Sequence, residues 1–257
     1  MDYDGTTKEL AEASYLAKCH RTKKRVPLTK SILAAQSFFV ASGRPIKDVW
    51  VAFRDERWND EKTEVIGSEI HSALRDYLAS LQNERCCYCA MKLQSNAHSR
   101  PIEHVLSRQK FPKFSLHFWN LAVACSRCNG FKLADGGDTF AADLDEYPLP
   151  KDFLRDFHPR FHRYEQHVRF ISVADNSFSF IAYVGWTDQG RQLVTTLLKR
   201  VAYETALESN DPRLAADIKL IWEQLDQRHG QVAMDRVEEF QKTLRELMAN
   251  QAAKLAR

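Results

Sequence analysis

Cys86-Cys87-Tyr88-Cys89 and Cys125-Ser126-Arg127-Cys128, with 35 residues between them, are the stretches that decide how this chain folds. Each contains a C-x-x-C pair whose two thiolates can grip one side of a tetrahedral ion. Two such knuckles close a four-sulfur site. A structural Zn²⁺ held by Cys86, Cys89, Cys125 and Cys128 would clamp the ends of an insert of about 40 residues, which has too little apolar surface to fold alone. One C-x-x-C leaves redox chemistry open, whereas two in a basic, His-containing segment point to zinc. Cys87 competes with Cys86 for the ion, and the commoner two-residue gap favours Cys86. Cys19 stands alone and reads as a small buried residue.

Chemistry-bearing residues cluster between and just after the knuckles: Pro101-Ile102-Glu103-His104-Val105, His117-Phe118-Trp119-Asn120-Leu121, and Cys125-Ser126-Arg127-Cys128-Asn129-Gly130-Phe131-Lys132. A carboxylate beside an imidazole supplies one hard oxygen ligand and one near-neutral base. An Asn early in a helix can offer its carbonyl oxygen to the same ion. Each residue also has a plainer reading: His104 as a surface or core histidine, Asn120 as a turn residue, Asn129 as a helix-start residue. His98 and His117 read as surface or structural residues. His158, His162 and His167 look metal-like together, but their spacing fits no defensible site.

Charge is informative through its distribution, since the net value is only +3. Residues 13–47 hold eight Lys or Arg and no acid, and residues 86–134 hold seven with Glu103 as the only acid. Residues 135–156 then carry seven carboxylates against two basic residues. Basic stretches of this kind suit a polyanion partner, or else form solvated faces.

Working outward, residues 1–85 read as helical. Thr29 can cap a first helix, Pro45 suits the first turn of a second, and Ser68 can cap a third with Ile70, Ala73, Leu74, Tyr77, Leu78 and Leu81 as its apolar stripe. Leu121-Ala122-Val123-Ala124 reads as a short strand. Residues 134–160, with Gly136-Gly137, Pro148, Pro150 and Pro159, read as an irregular connector. A hairpin follows, His167 to Val173 and Ser179 to Val184, turning at Asp175-Asn176. Three helices come next, with Thr187 capping the first, Asp211-Pro212 starting the second, and Val237, Phe240, Leu244, Leu247 and Met248 lining the last. No apolar run approaches the 18 or more residues of a membrane span, and the acidic, polar N-terminus does not read as a secretory signal. A cytoplasmic, reducing setting is therefore expected, where paired cysteines more often bind metal than form disulfides.

The segment at roughly residues 86–133, about a fifth of the chain, resembles the HNH or ββα-metal nuclease family. An acid-His pair, an Asn before a short apolar strand ending in C-x-x-C, and the Asn-x-x-Lys directly after it carry the resemblance. It implies an α+β, mainly helical fold: a central ββα-metal motif stapled by the four-cysteine zinc site, with helices on either side. The expected divisions are 1–85, helical; 86–160, nuclease core and connector; and 161–257, hairpin and C-terminal helices. The resemblance also implies roles. His104 would be the general base that activates water, and Glu103 and Asn129 would hold one catalytic Mg²⁺ or Mn²⁺. Asn120 would bond backbone and fix the loop carrying His104. Arg127, Lys132, Arg108, Lys110 and Lys113 would contact the backbone of DNA, which fixes position without reading sequence; RNA offers them the same phosphates. Cleavage would leave a 5′-phosphate and a 3′-hydroxyl. Many members carry a second His where this chain has Asn129, which leaves the preferred ion open. The wider arrangement, with Arg54-Asp55-Glu56-Arg57-Trp58 ahead of the core, is similar to HNH proteins of bacterial anti-phage defence. Among them is the nuclease subunit of Septu-type systems, which works beside an ATPase. The competing reading is a zinc-knuckle module that grips nucleic acid without cutting it.

Overall fold

A computed structural model describes residues 6–18, 49–59, 64–94, 99–135, 140–141, 144–174 and 179–208. The expectations for Cys19, His98, the Thr29 and Pro45 helix starts, the Asp175-Asn176 turn and the last two helices lie outside these residues. Among the described residues the architecture is α+β, with helices around three separate two-stranded antiparallel sheets.

Among the described residues the first two helices are α1 (Lys8–Lys18) and α2 (Val49–Asp55). Next come β1 (Arg57–Asn59), β2 (Glu64–Ile66) and the 15-residue α3 (Gly67–Leu81). Ile70, Leu74, Tyr77 and Leu78 form the buried stripe of α3, as their spacing predicts, while Ala73 and Leu81 are half-buried. Ser68 is not its cap. The helix starts at Gly67 from an extended Ile66 with no side-chain cap, because the Gly67 N–H is taken by the Glu56 carbonyl at 2.9 Å. The same approach demands a glycine, since a Cβ there would lie 1.7 Å from the Phe53 carbonyl oxygen. Gly67→Ala should therefore push α2 away from α3 and cost roughly 1–3 kcal/mol, read as a lower urea midpoint at unchanged slope. A midpoint equal to wild type would show that the two helices do not pack this closely.

After α3 the left-handed Asn83 and Glu84 (φ 52° and 56°) turn the chain into the first knuckle. The Gln82 side chain lies along the edge of the later strand β4, donating to the Val123 carbonyl and accepting from its N–H, both at 2.8 Å. β3 (Ile102–His104) pairs with β4 (Leu121–Val123), setting Glu103 opposite Ala122 and His104 opposite Leu121. The wholly buried β4 leads into α4 (Ser126–Asp135). β5 (Val168–Ala174) and β6 (Ser179–Gly185) form the expected hairpin. Thr187 caps α5 (Asp188–Leu193) by accepting the Gly190 N–H at 3.1 Å. A π-helical turn at Val194–Leu198 continues it into α6 (Lys199–Glu208).

One buried cluster joins Tyr15, Leu74, Phe118, residues 121–124, Tyr183 and Val201. It thus contains residues from each of the three sequence segments. The stretch expected as an irregular connector does more than connect. Phe153 and Phe161 pack with Val105, Leu106, Phe111 and Phe114 in a second cluster, and Phe157 joins the first. These rings cover the apolar side chains of the long loop between β3 and β4. No helix among the described residues is long and apolar enough to cross a membrane.

Candidate functional site

The sulfurs of Cys86, Cys89, Cys125 and Cys128 lie within 4.8 Å of one another, with Cys89 and Cys125 3.9 Å apart. A tetrahedral zinc ion with Zn–S bonds of about 2.3 Å sets its sulfurs about 3.8 Å apart, so the donor set fits. The Cys86–Cys89 knuckle closes by Ala90 N–H to Cys86 O at 3.0 Å and Cys86 N–H to Met91 O at 2.9 Å, with Ala90 left-handed at φ 57°. The Cys125–Cys128 knuckle forms as β4 enters α4. The Cys125 N–H points at Cys86 Sγ (3.2 Å) and the Cys128 N–H at Cys125 Sγ (3.4 Å). Hydrogen bonding divides the four thiols. Cys125 is drawn down by Cys128, and Cys86 by Cys125 and Cys128 against its burial. Cys89 and Cys128 are pushed up, chiefly by Cys125. A divalent cation removes this conflict by stabilising all four thiolates. Cys87 is buried but lies outside this group, and its N–H bonds the Val123 carbonyl at 3.0 Å.

Ahead of the second knuckle, β3 presents Glu103 and His104 on opposite faces, as successive strand residues must. Glu103 is only 4% exposed. Its Oε1 receives Lys132 Nζ at 2.7 Å and the Tyr88 hydroxyl at 3.2 Å. Burial pushes its carboxyl up, and the Lys132 ammonium works against that shift. Lys132 also donates to the His104 carbonyl at 2.7 Å, so it ties α4 to β3. Asn129 stands one turn earlier on α4 and is half-exposed. His104 Nε2 has two close neighbours from different parts of the chain: the Trp50 indole nitrogen at 2.7 Å and the Ser115 carbonyl at 3.0 Å.

Asn120 is fully buried, and its amide is fully used. Oδ1 accepts the Leu106 N–H at 2.6 Å and the Tyr147 hydroxyl at 3.2 Å, while Nδ2 donates to the Leu106 and Phe114 carbonyls, each at 3.0 Å. The loop between β3 and β4, which carries Ser115, is thereby pinned at two places. Tyr147 is held in turn by His158, whose Nδ1 accepts the Arg160 N–H at 3.2 Å, leaving Nε2–H to donate to Tyr147 at 2.8 Å. Burial keeps His158 neutral, well below the usual imidazole range. Arg160 donates to the Leu121 carbonyl at 3.0 Å and lies 4.8 Å from the Phe118 ring centre.

The basic residues separate. Arg108 and Lys113 are exposed and Lys110 half-buried on the β3–β4 loop, with Lys113 3.7 Å from Asp145. Arg127 instead reaches α6, donating to Thr205 Oγ1 at 2.8 Å and lying 3.8 Å from Glu204. Lys132 faces inward to Glu103. Among the residues that sequence reasoning passed over, Trp50, Tyr88, Ser115 and Tyr147 all touch the site. Only Tyr88 carried a signal, as an aromatic hydroxyl inside the knuckle.

His117 stacks on Tyr147 at 4.2 Å, and His162 lies 4.7 Å from His167. Among the described residues, the four cysteines alone form a group with metal-ligand spacing, so the three C-terminal histidines remain without a site. Burial lowers His71, His117 and His162 from 6.5 to about 4. Between those values the unfolded chain takes up protons that the folded chain refuses, so stability falls as pH drops from 6.5 towards 4. Urea titrations across that window should show this slope, and His117→Gln should flatten it. An unchanged slope in the variant would exclude His117 as a contributor.

Compared with known proteins, no protein-family model and no solved structure matches the chain. Over 55 residues it is 33% identical to the Septu protein PtuB of Bacillus thuringiensis, a stretch covering 21% of each chain. The chain therefore matches about a fifth of the length of that curated relative.

Proposed function

We propose that this chain is a metal-dependent HNH-type endonuclease that hydrolyses phosphodiester bonds of DNA, acting in bacterial anti-phage defence beside an ATPase partner. The observation that carries the reading is the convergence of three separate sequence elements. Glu103 and His104 lie on β3, paired with the strand that ends at the Cys125 knuckle, and α4 returns Lys132 to the Glu103 carboxylate. The partial likeness to a Septu protein supports the defence role and the partner.

In this reading His104 takes a proton from water, and the hydroxide attacks phosphorus in line. A bound Mg²⁺ or Mn²⁺ would supply Lewis acidity and offset charge on the leaving oxygen. Glu103 and Asn129 would hold it, and their hard oxygens suit either ion. Asn120 keeps the loop beside His104 in place. Arg108, Lys110 and Lys113 lie along that loop and would meet phosphates. Arg127 and Lys132 would meet them only after leaving Thr205 and Glu103.

One observation favours the binding-module reading: Lys132 and Tyr88 both engage Glu103 Oε1, an oxygen that a metal ion would need. Zinc-loaded protein incubated with supercoiled plasmid separates the two. Nicking that requires added Mg²⁺ or Mn²⁺ supports the nuclease. Tight DNA binding with no cutting under any ion, together with no Mn²⁺ uptake by calorimetry, supports the binder. A labelled single-stranded RNA beside the plasmid reports whether the substrate is RNA instead.

A further inference from the structure

His104 Nε2 is approached by two groups that make opposite demands on it. The Trp50 indole nitrogen, 2.7 Å away, can only donate. The Ser115 carbonyl, 3.0 Å away, can only accept. A neutral imidazole nitrogen holds either a proton or a lone pair, so the two hydrogen bonds exclude each other. The two neighbours therefore call for different tautomers of the ring.

Trp50 is the shorter contact and is firmly held. It is 6% exposed, meets His71 edge-on at 5.1 Å and stands T-shaped to His104 at 5.6 Å. Its helix, α2, is fixed against α3 at Gly67, where the Glu56 carbonyl accepts the glycine N–H. While the indole donates, the Nε2 lone pair is engaged and the ring proton lies on Nδ1. Neither nitrogen then offers a lone pair to water. When Trp50 withdraws, the proton crosses through solvent to Nε2 and bonds the Ser115 carbonyl, and the lone pair passes to Nδ1. The ring stays neutral throughout and no proton is gained or lost.

We propose that Trp50 is a positioning residue that withholds His104 from catalysis by holding its imidazole in the Nδ1–H tautomer, so that displacing α2 releases the base. Control thus lies 54 residues upstream of the base, in the helical lead-in. The consequence for cutting rests on the nuclease reading; the tautomer assignment does not.

The test uses the full chain, zinc-loaded and without added Mg²⁺ or Mn²⁺, labelled with ¹⁵N-histidine. Long-range proton–nitrogen correlation spectra distinguish a protonated from an unprotonated ring nitrogen, and loss of a signal in His104→Gln assigns the residue. Wild type should show Nδ1 protonated and Nε2 bare. Trp50→Phe keeps a ring in the packing but removes the donor, and should reverse the pattern. Nε2–H in wild type overturns the proposal whatever the variant does, and so does an unchanged pattern in a folded Trp50→Phe. With Mn²⁺ and plasmid added, kcat should rise in Trp50→Phe with KM unchanged. The worth of one hydrogen bond sets the gain at roughly three- to tenfold. A fall in kcat instead makes Trp50 a support of the active base and overturns the proposal. If neither protein cuts plasmid, the nuclease reading fails, while the spectra still decide the tautomer.

Discussion

Cys128→Ser is expected to abolish the fold of the central segment and not merely weaken it. Its sulfur is fully buried and shares a site with three others within 4.8 Å. Serine offers a poor zinc ligand there and a hydroxyl with no apolar character. Structural zinc in small modules is worth about 10–16 kcal/mol, while whole domains are stable by only about 5–15 kcal/mol. Losing most of the metal term therefore exceeds what the remaining packing can offset. The effect should reach beyond the knuckles, because Tyr183 donates to the Cys89 carbonyl at 3.1 Å and the buried cluster runs through all four cysteines' neighbours. Zinc content per chain and the thermal transition by circular dichroism measure this. A Cys128→Ser protein that lacks zinc yet melts within a few degrees of wild type would remove the clamp from the account. Chelation of wild-type protein should give the same loss, and slowly, since the sulfurs are shielded.

His104→Ala should lower plasmid cutting by about 10²–10⁴-fold, the usual contribution of a positioned general base. Two effects of the substitution must be kept apart. The first is chemical: no imidazole remains to take the proton from water. The second is structural: the Trp50 indole loses its acceptor in a buried place, at a cost of roughly 1–3 kcal/mol. The structural cost leaves most of the protein folded at 25 °C, because the knuckles and the main cluster do not depend on His104. Zinc content should be unchanged and the melting point lower by several degrees. Cutting within tenfold of wild type would end the role of His104 as base. Adding Trp50→Phe to His104→Ala should change cutting no further, because Trp50 acts only through the missing ring.

Much of the site could be read from sequence because its chemistry is local. The two C-x-x-C pairs point to a metal through their spacing and their basic, His-containing setting. The Leu121–Val123 strand shows as an apolar run and Glu103-His104 as an acid beside an imidazole, while their pairing shows in neither stretch. Thr187 gives a cap from its own side chain, and the β5–β6 hairpin shows in its alternation. What stayed hidden depends on long-range contact. Trp50 reaches His104 across 54 residues, and nothing in its own neighbourhood distinguishes it from a core tryptophan. β1 and β2 are three-residue strands of mixed polarity, too short to show a period. The stretch before β5 was masked by its prolines, although Phe153, Phe157 and Phe161 recur every four residues and pack inward. Lys132 looked like a surface cation because its carboxylate partner lies 29 positions upstream, on β3.

The Asn120–Tyr147–His158 relay bears on modularity. The segment between Cys86 and the end of α4 looks like a unit that could be cut out and carried into another protein. Yet the hydroxyl that completes the Asn120 amide and the imidazole behind it both come from residues C-terminal to that unit, as does the Arg160 guanidinium on the Leu121 carbonyl. An excised 86–135 fragment would keep every motif residue and lose its outer brace. Grafting the site elsewhere therefore requires the belt from Tyr147 to Phe161 to travel with it.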